Sequence, residues 1–160
     1  MPLTPRGEEK AQALRPRLAS LSFDAVYSSP MERARRTAEL AGFSSPQITD
    51  LLREVDYGEY EGLTSRQIHD ANPSWELYLD GSPGGETPTQ IYERVQAFIA
   101  LAGKSGSRVL AFSHGHTLRA VGAAWIRADL RVASGLMLDV ATLCALRDDG
   151  HRLITLWNSA

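Results

Sequence analysis

Apolar positions at Ala11, Leu14, Leu18 and Leu21 recur at helical spacing behind Thr4-Pro5, a start signal that pairs a capping hydroxyl with a proline in the first turn. Pro16 falls inside that stripe and predicts a kink or an early end. A second helix is predicted from Ser29-Pro30-Met31-Glu32, which has the form of a capping box. Its apolar face is Met31, Ala34, Ala38 and Ala41, and Gly42 supplies the stop. Thr87-Pro88-Thr89-Gln90 repeats the same grammar ahead of Ile91, Val95, Phe98 and Ala102, with Gly103 at the far end.

Two compact runs, Asp24 to Tyr27 and Arg108 to Phe112, each stand before a helix start, which is the βα pattern of a parallel sheet. Val140 to Leu146 and Arg152 to Trp157 flank Asp148-Asp149-Gly150, whose Asp-Gly step favours a hairpin turn. Between these groups, Glu54 to Gly85 is polar and rich in Gly and Pro, with one short helix expected around Thr64 to Asp70. Long polar connections in α/β folds lie over the carboxyl ends of the strands, where ligands bind.

Length and composition narrow the picture only a little. A chain of 160 residues is one domain by its length, and it buries a core without staples. The net charge of −2 argues against non-specific nucleic-acid binding, yet leaves room for a local arginine cluster that holds a small anion. Cys144, the one cysteine, sits in an apolar run and is expected to be a small buried hydrophobe. The polar start "MPLTPRGEEK" has no signal-peptide core, and no apolar stretch reaches membrane-spanning length. A cytoplasmic protein with no membrane partner is the expectation.

Chemistry-bearing residues gather at element boundaries. Ser28-Ser29 leads into a helix carrying Arg33, Arg35 and Arg36, and "LLREVDYGEYEG" places Arg53, Glu54, Asp56, Glu59 and Glu61 in a loop. "SPGGET" precedes a helix start, and Ser113-His114-Gly115-His116 closes a strand and opens a helix, with Arg119 following. Imidazole, guanidinium and a helix N-terminus converging at strand ends make a phosphate receptor. Each residue also has a plainer reading. Most of the arginines are solvated helix surface, Glu59 and Glu61 serve solubility, and His69 and His151 are surface histidines. A zinc site would need Asp24, Glu54 or Asp56 to complete His114 and His116, and it has less support than the phosphate reading.

Five blocks, "PLTPRGEEKAQAL", "SSPMERARRTAELAG", "LREVDYGEYEG", "PGGET" and "SHGHTLRA", resemble in order those of the histidine phosphatase superfamily, also called phosphoglycerate-mutase-like. The likeness runs from Pro2 to about Asn158, and "SHGH" with the "WN" ending is closer to the phosphatase branches than to the glycolytic mutases. The resemblance implies a three-layer α/β/α sandwich with a mostly parallel mixed sheet. It makes His114, Arg33 and Glu54 the catalytic residues here, and it assigns Ser113, Gly115, His116, Gly85, Glu86 and Thr87 to substrate binding. It implies metal-independent hydrolysis of a small phosphorylated metabolite through a phosphohistidine, with no metal and no cofactor. In that chemistry a protonated His114 and Arg33 stabilise the equatorial oxygens. Glu54, with a raised pKa, protonates the departing alkoxide and later takes a proton from water.

The sequence departs from the family at one point. No Arg-His-Gly motif is present, and none of His69, His114, His116 and His151 stands in its place. The family's first strand, which carries that nucleophile and lies beside the strand ending at Ser113, is expected to be missing, with unpaired backbone and a hole in the core. Three explanations follow: a recorded chain shorter than the natural one, a non-catalytic relative, or a gap filled by a strand from another subunit. The expectation is a phosphatase of one domain, residues 1–160, impaired without its nucleophile. A silent phosphoester-binding or assembly module is the alternative, a phosphoglycerate-type mutase the further one, and an open slot would invite a homodimer.

Overall fold

The computed structural model describes residues 2–160; Met1, at the head of the opening block, lies outside them. Helix α1 runs Pro5–Leu18, with the Thr4 hydroxyl accepting from the Gly7 amide. Pro16 lies in its last turn, and the helix stops at Leu18, the early end expected there. The proline stands on the exposed face of that turn, while Leu14 and Leu18 are buried on either side. Leu21, expected in the same stripe, lies beyond the helix and is exposed.

Strand β1 (Ala25–Ser28) pairs in parallel with β2 (Gln47–Ile48) on one side and with β3 (Val109–Phe112) on the other. Every residue of β3 is apolar, as suits a strand covered on both faces. Ala25, Tyr27, Val109 and Ala111 face one layer, built from α5 (Pro88–Lys104) and α6 (Gly115–Trp125). Val26, Leu110 and Phe112 face the other, formed by α1 and α2 (Glu32–Leu40). Helix α5 starts on the expected capping box, Thr87 with Gln90. The same device opens α3 (Ser65–Ala71) at Thr64 and Gln67, and a short α4 (Leu77–Asp80) follows.

The capping box expected at the start of α2 does not form. Met31 is the N-cap residue and caps with no side chain. The Ser29 hydroxyl is turned instead to the Met31 amide and to His114.

Strands β4 (Leu143–Asp148) and β5 (Arg152–Ser159) form an antiparallel hairpin, turned at Gly150 with φ 96°. The expected mixed sheet is therefore two sheets: three parallel strands in the order β2-β1-β3, and the hairpin. Among the described residues β3 pairs with β1 alone and β4 with β5 alone. The hairpin nevertheless lies between the same two layers, since Leu146 packs with the α5/α6 cluster and Leu143 with the α1/α2 cluster. Cys144, expected to be buried, is exposed on the open hairpin.

Candidate active site

The parallel register Ser28↔Phe112 brings the carboxyl ends of β1 and β3 level, and the Ser29 amide donates to the Phe112 carbonyl at 2.9 Å. Ser29 and His114, the residues that leave those strands, consequently stand side by side. Ser29 is wholly buried and His114 is only 6% exposed. His114 Nε2 lies 2.8 Å from Ser29 Oγ, and Arg33 Nε donates to His114 Nδ1 at 3.0 Å. A guanidinium has no acceptor, so Nδ1 carries the lone pair and the imidazole proton is assigned to Nε2.

His114 is therefore neutral in the unliganded site. Burial pushes its pKa down to about 4, with Arg33 and Arg94 adding to the shift and Glu54 opposing it. Arg33 makes only that one side-chain hydrogen bond among the described residues, which leaves both its Nη atoms open beside the ring.

Glu54 reaches the same place from β2. The Thr49 amide donates to the Ser28 carbonyl, and the Thr49 hydroxyl caps a 3₁₀ turn, Asp50–Leu52, that delivers Arg53 and Glu54. The carboxylate accepts from the amides of Thr117 (3.0 Å), Val55 (3.1 Å) and His116 (3.4 Å). It thereby caps the positive end of α6. Burial alone would raise its pKa, but the contact with His116 and the Thr117 and Val55 amides outweigh it and bring the value to about 2. The raised pKa expected for Glu54 is thus reversed in the unliganded site. Of the first α6 amides, that of Gly115 has no protein acceptor among the described residues.

Several residues expected on substrate also hold the site's frame. The Ser113 hydroxyl donates to the Leu52 carbonyl at 2.7 Å. Glu86 takes Arg94 on both oxygens (2.7 and 2.8 Å) together with the Asp56 amide. Thr87 has its hydroxyl on the capping box of α5. Gly85 lies against the loop backbone, where a Cβ would come 2.3 Å from the Asp56 carbonyl oxygen.

Arg94, which sequence reasoning passed over, joins these parts. Its Nη1 donates to the carbonyls of Leu51 and Arg53, so the segment that presents Glu54 is fastened to α5. Its one sequence signal is a charged residue beside Ile91 and Val95 on the inward face of α5.

His116 is half-buried, and its Nδ1 bonds the Tyr57 hydroxyl and lies 3.9 Å from Glu54 Oε2. The Tyr78 hydroxyl donates to the His116 carbonyl at 2.8 Å. Burial raises the pKa of both phenols, which keeps them neutral. His69 bonds the Trp75 carbonyl, and His151 lies exposed at the hairpin turn. Among the described residues no group of three or more His, Cys, Asp or Glu side chains is placed to hold a metal ion.

A parallel sheet between helical layers, with arginine, histidine and glutamate converging at its carboxyl edge, defines an α/β protein with its candidate site where such folds bind ligands. The chain belongs to the histidine phosphatase superfamily (branch 1), whose family profile matches residues 1–160. It is 38% identical over 145 residues to an acid phosphatase of Mycobacterium tuberculosis, covering 88% of this chain and 71% of the relative. It is 32% identical over 126 residues to a sedoheptulose 1,7-bisphosphatase of Saccharomyces cerevisiae, covering 62% of this chain and 46% of that one. A solved structure of a Mycobacterium tuberculosis open reading frame superposes with a TM-score of 0.93 at 36% identity, covering 99% of this chain and 84% of the other. That of a putative alpha-ribazole-5'-P phosphatase from Escherichia coli gives 0.85 at 27% identity, with coverage of 99% and 84%.

Proposed function

We propose that residues 1–160 form one histidine-phosphatase domain that binds small phosphomonoesters and, once completed by a nucleophilic histidine, hydrolyses them through a phosphohistidine, without metal. The observation that carries this reading is the pair of open Arg33 Nη atoms beside buried, neutral His114. A phosphate dianion meets the two Nη donors, the His114 ring and the Gly115 amide there. Its charge raises the pKa of His114, which takes up a proton on Nδ1 as the Arg33 Nε–H turns from the ring to the phosphate, and the imidazolium then bonds an equatorial oxygen.

Glu54 starts ionised, ready to take the proton of the water that cleaves the phosphohistidine. It protonates a departing alkoxide only after the neighbouring dianion has raised its pKa. Transfer through a nitrogen nucleophile divides one slow hydrolysis into two faster steps.

The nucleophile is a histidine from outside residues 1–160. His114 has both nitrogens engaged, His116 is bonded to Tyr57, His69 to the Trp75 carbonyl, and His151 sits at the hairpin turn. The vacant edges of β3 and β4 favour a strand as its carrier. Both edges lie between the same two layers, and a cavity of about 360 Å³ opens ahead of the amino end of β3, lined among others by Gly106, Ser107, Trp125 and Leu146. A strand seated beside β3 would end next to His114.

Hydrolysis of an aryl phosphate in chelator tests the reading. Residues 1–160 are expected to bind without turnover, and a form supplied with an Arg-His-Gly strand to turn over with a phosphohistidine intermediate. Steady turnover by residues 1–160 overturns the outside nucleophile. Inactivity of the completed form leaves a phosphoester-binding module.

A further inference from the structure

Beside the phosphoryl site lies a cavity of about 300 Å³ with a different lining. Its walls include the rings of Tyr57, Tyr60, Trp75 and Tyr78, with Tyr60 and Trp75 packed edge to face at 5.4 Å. His116 joins it to the catalytic region, since its ring lines the cavity and stands 3.9 Å from Glu54.

One cation faces this space. Arg119 is held through Nε to the Ala133 carbonyl and through Nη2 to the Ser134 carbonyl, both at 2.8 Å, and it lies 5.6 Å from the centre of the Tyr78 ring. These partners are neutral. Among the described residues no carboxylate pairs with Arg119, and its Nη1 makes no hydrogen bond. Its five donors are made for a planar anion, and a half-buried charge without a counter-ion is costly until one arrives.

We propose that this cavity receives the alcohol half of the phosphoester and selects a single planar ring bearing an acidic substituent, which Arg119 binds. The inference rests on the phosphatase reading for its phosphate half. Rigid aromatic walls hold a flat ring at little entropic cost, and the volume is at the small end of ligand pockets, about 300–1,000 Å³, which suits one ring rather than a long chain. Glu61 also lines the cavity, where it accepts from the Tyr57 amide and adds one negative charge. The acidic group of the ligand is therefore assigned to Arg119, the one guanidinium of the lining.

Calorimetric titration of residues 1–160 with inorganic phosphate, phenyl phosphate, 4-carboxyphenyl phosphate, glucose 6-phosphate and 4-hydroxybenzoate tests the inference without needing turnover. The 4-carboxyphenyl ester is expected to bind about tenfold more tightly than phenyl phosphate, the scale of one charge-assisted bond. Arg119→Met is expected to erase that difference and leave inorganic phosphate unchanged. Because Arg119 also ties down Ala133 and Ser134, Glu61→Gln serves as a second variant, expected to strengthen the carboxylated ester and not phenyl phosphate. Binding of 4-hydroxybenzoate that depends on Arg119, without any binding of inorganic phosphate, would keep the inference and overturn the phosphatase reading. Equal affinity for the two aryl esters, tighter binding of glucose 6-phosphate, or failure of both carboxylated probes to bind would overturn the inference.

Discussion

Arg33 Nε donates to His114 Nδ1 across 3.0 Å, and that bond sets the charge of the ring. With Nδ1 accepting and Nε2 turned to Ser29, the imidazole is neutral and its pKa is pushed down to about 4 by burial and by the neighbouring arginines. Under the proposed function, His114 is thus a receptor that gains its proton with the phosphate.

Two consequences in pH follow for His114. Its folded pKa of about 4 lies below the ordinary 6.5, so between those values the unfolded chain binds more protons than the folded one. Its contribution to stability is therefore complete above pH 6.5 and is lost as the pH falls toward 4. Urea unfolding across this range is expected to show the decline. The ring resonances of His114 in NMR should stay in the neutral form at pH 6 without phosphate and shift toward imidazolium on adding it.

Glu54 acts lower on the scale. Its folded pKa of about 2 lies below the ordinary 4.5, so the stability it supplies is present above pH 4.5 and is lost as the pH falls toward 2. Glu54→Gln sets an amide N–H₂ among the Thr117, Val55 and His116 donors, which is expected to cost ~1–3 kcal/mol at pH 7. Acid titration of the variant should lack the step between pH 4.5 and 2.

Arg94→Met removes the cation that closes on Glu86 and on the Leu51 and Arg53 carbonyls. It leaves a mostly buried carboxylate unpaired, with an expected loss of ~3–5 kcal/mol. Hydrogen exchange at the Val55 and Thr117 amides should speed up beyond what the change in global stability accounts for, because Glu54 is no longer held against them.

Gly58→Ala tests the backbone contact between the 53–61 loop and the 82–86 turn. Gly58 has φ 51°, and a Cβ there would stand 2.2 Å from the Pro83 carbonyl oxygen. The loop has to withdraw, at an expected cost of ~2–4 kcal/mol. Thermal unfolding should report it, with Gly62→Ala, where nothing lies within 4 Å, as the milder control.

The parts legible in the sequence were those in which a local pattern agreed with the packing. Thr87 and Gln90 cap α5 as their spacing predicts, and β1 and β3 each run into a helix as the βα pattern requires. Ser29 fails as a cap because a partner 85 residues away competes for its hydroxyl, and no local pattern carries that information. Glu54 fails in the same way. It is expected with a raised pKa, whereas its charge is held by His116 and Thr117, 62 and 63 positions on. Cys144 was read from an apolar run, yet the edge of β4 is unpaired and the residue faces outward.

The claim that Arg33 and His114 form the phosphate receptor is tested most directly by calorimetric titration of residues 1–160 with inorganic phosphate at pH 7, beside Arg33→Ala. Saturable binding at one site, weakened at least tenfold in the variant, about the value of one charge-assisted contact, is the predicted result. Binding that survives unchanged in Arg33→Ala, or no saturable binding in the wild-type protein, would contradict it.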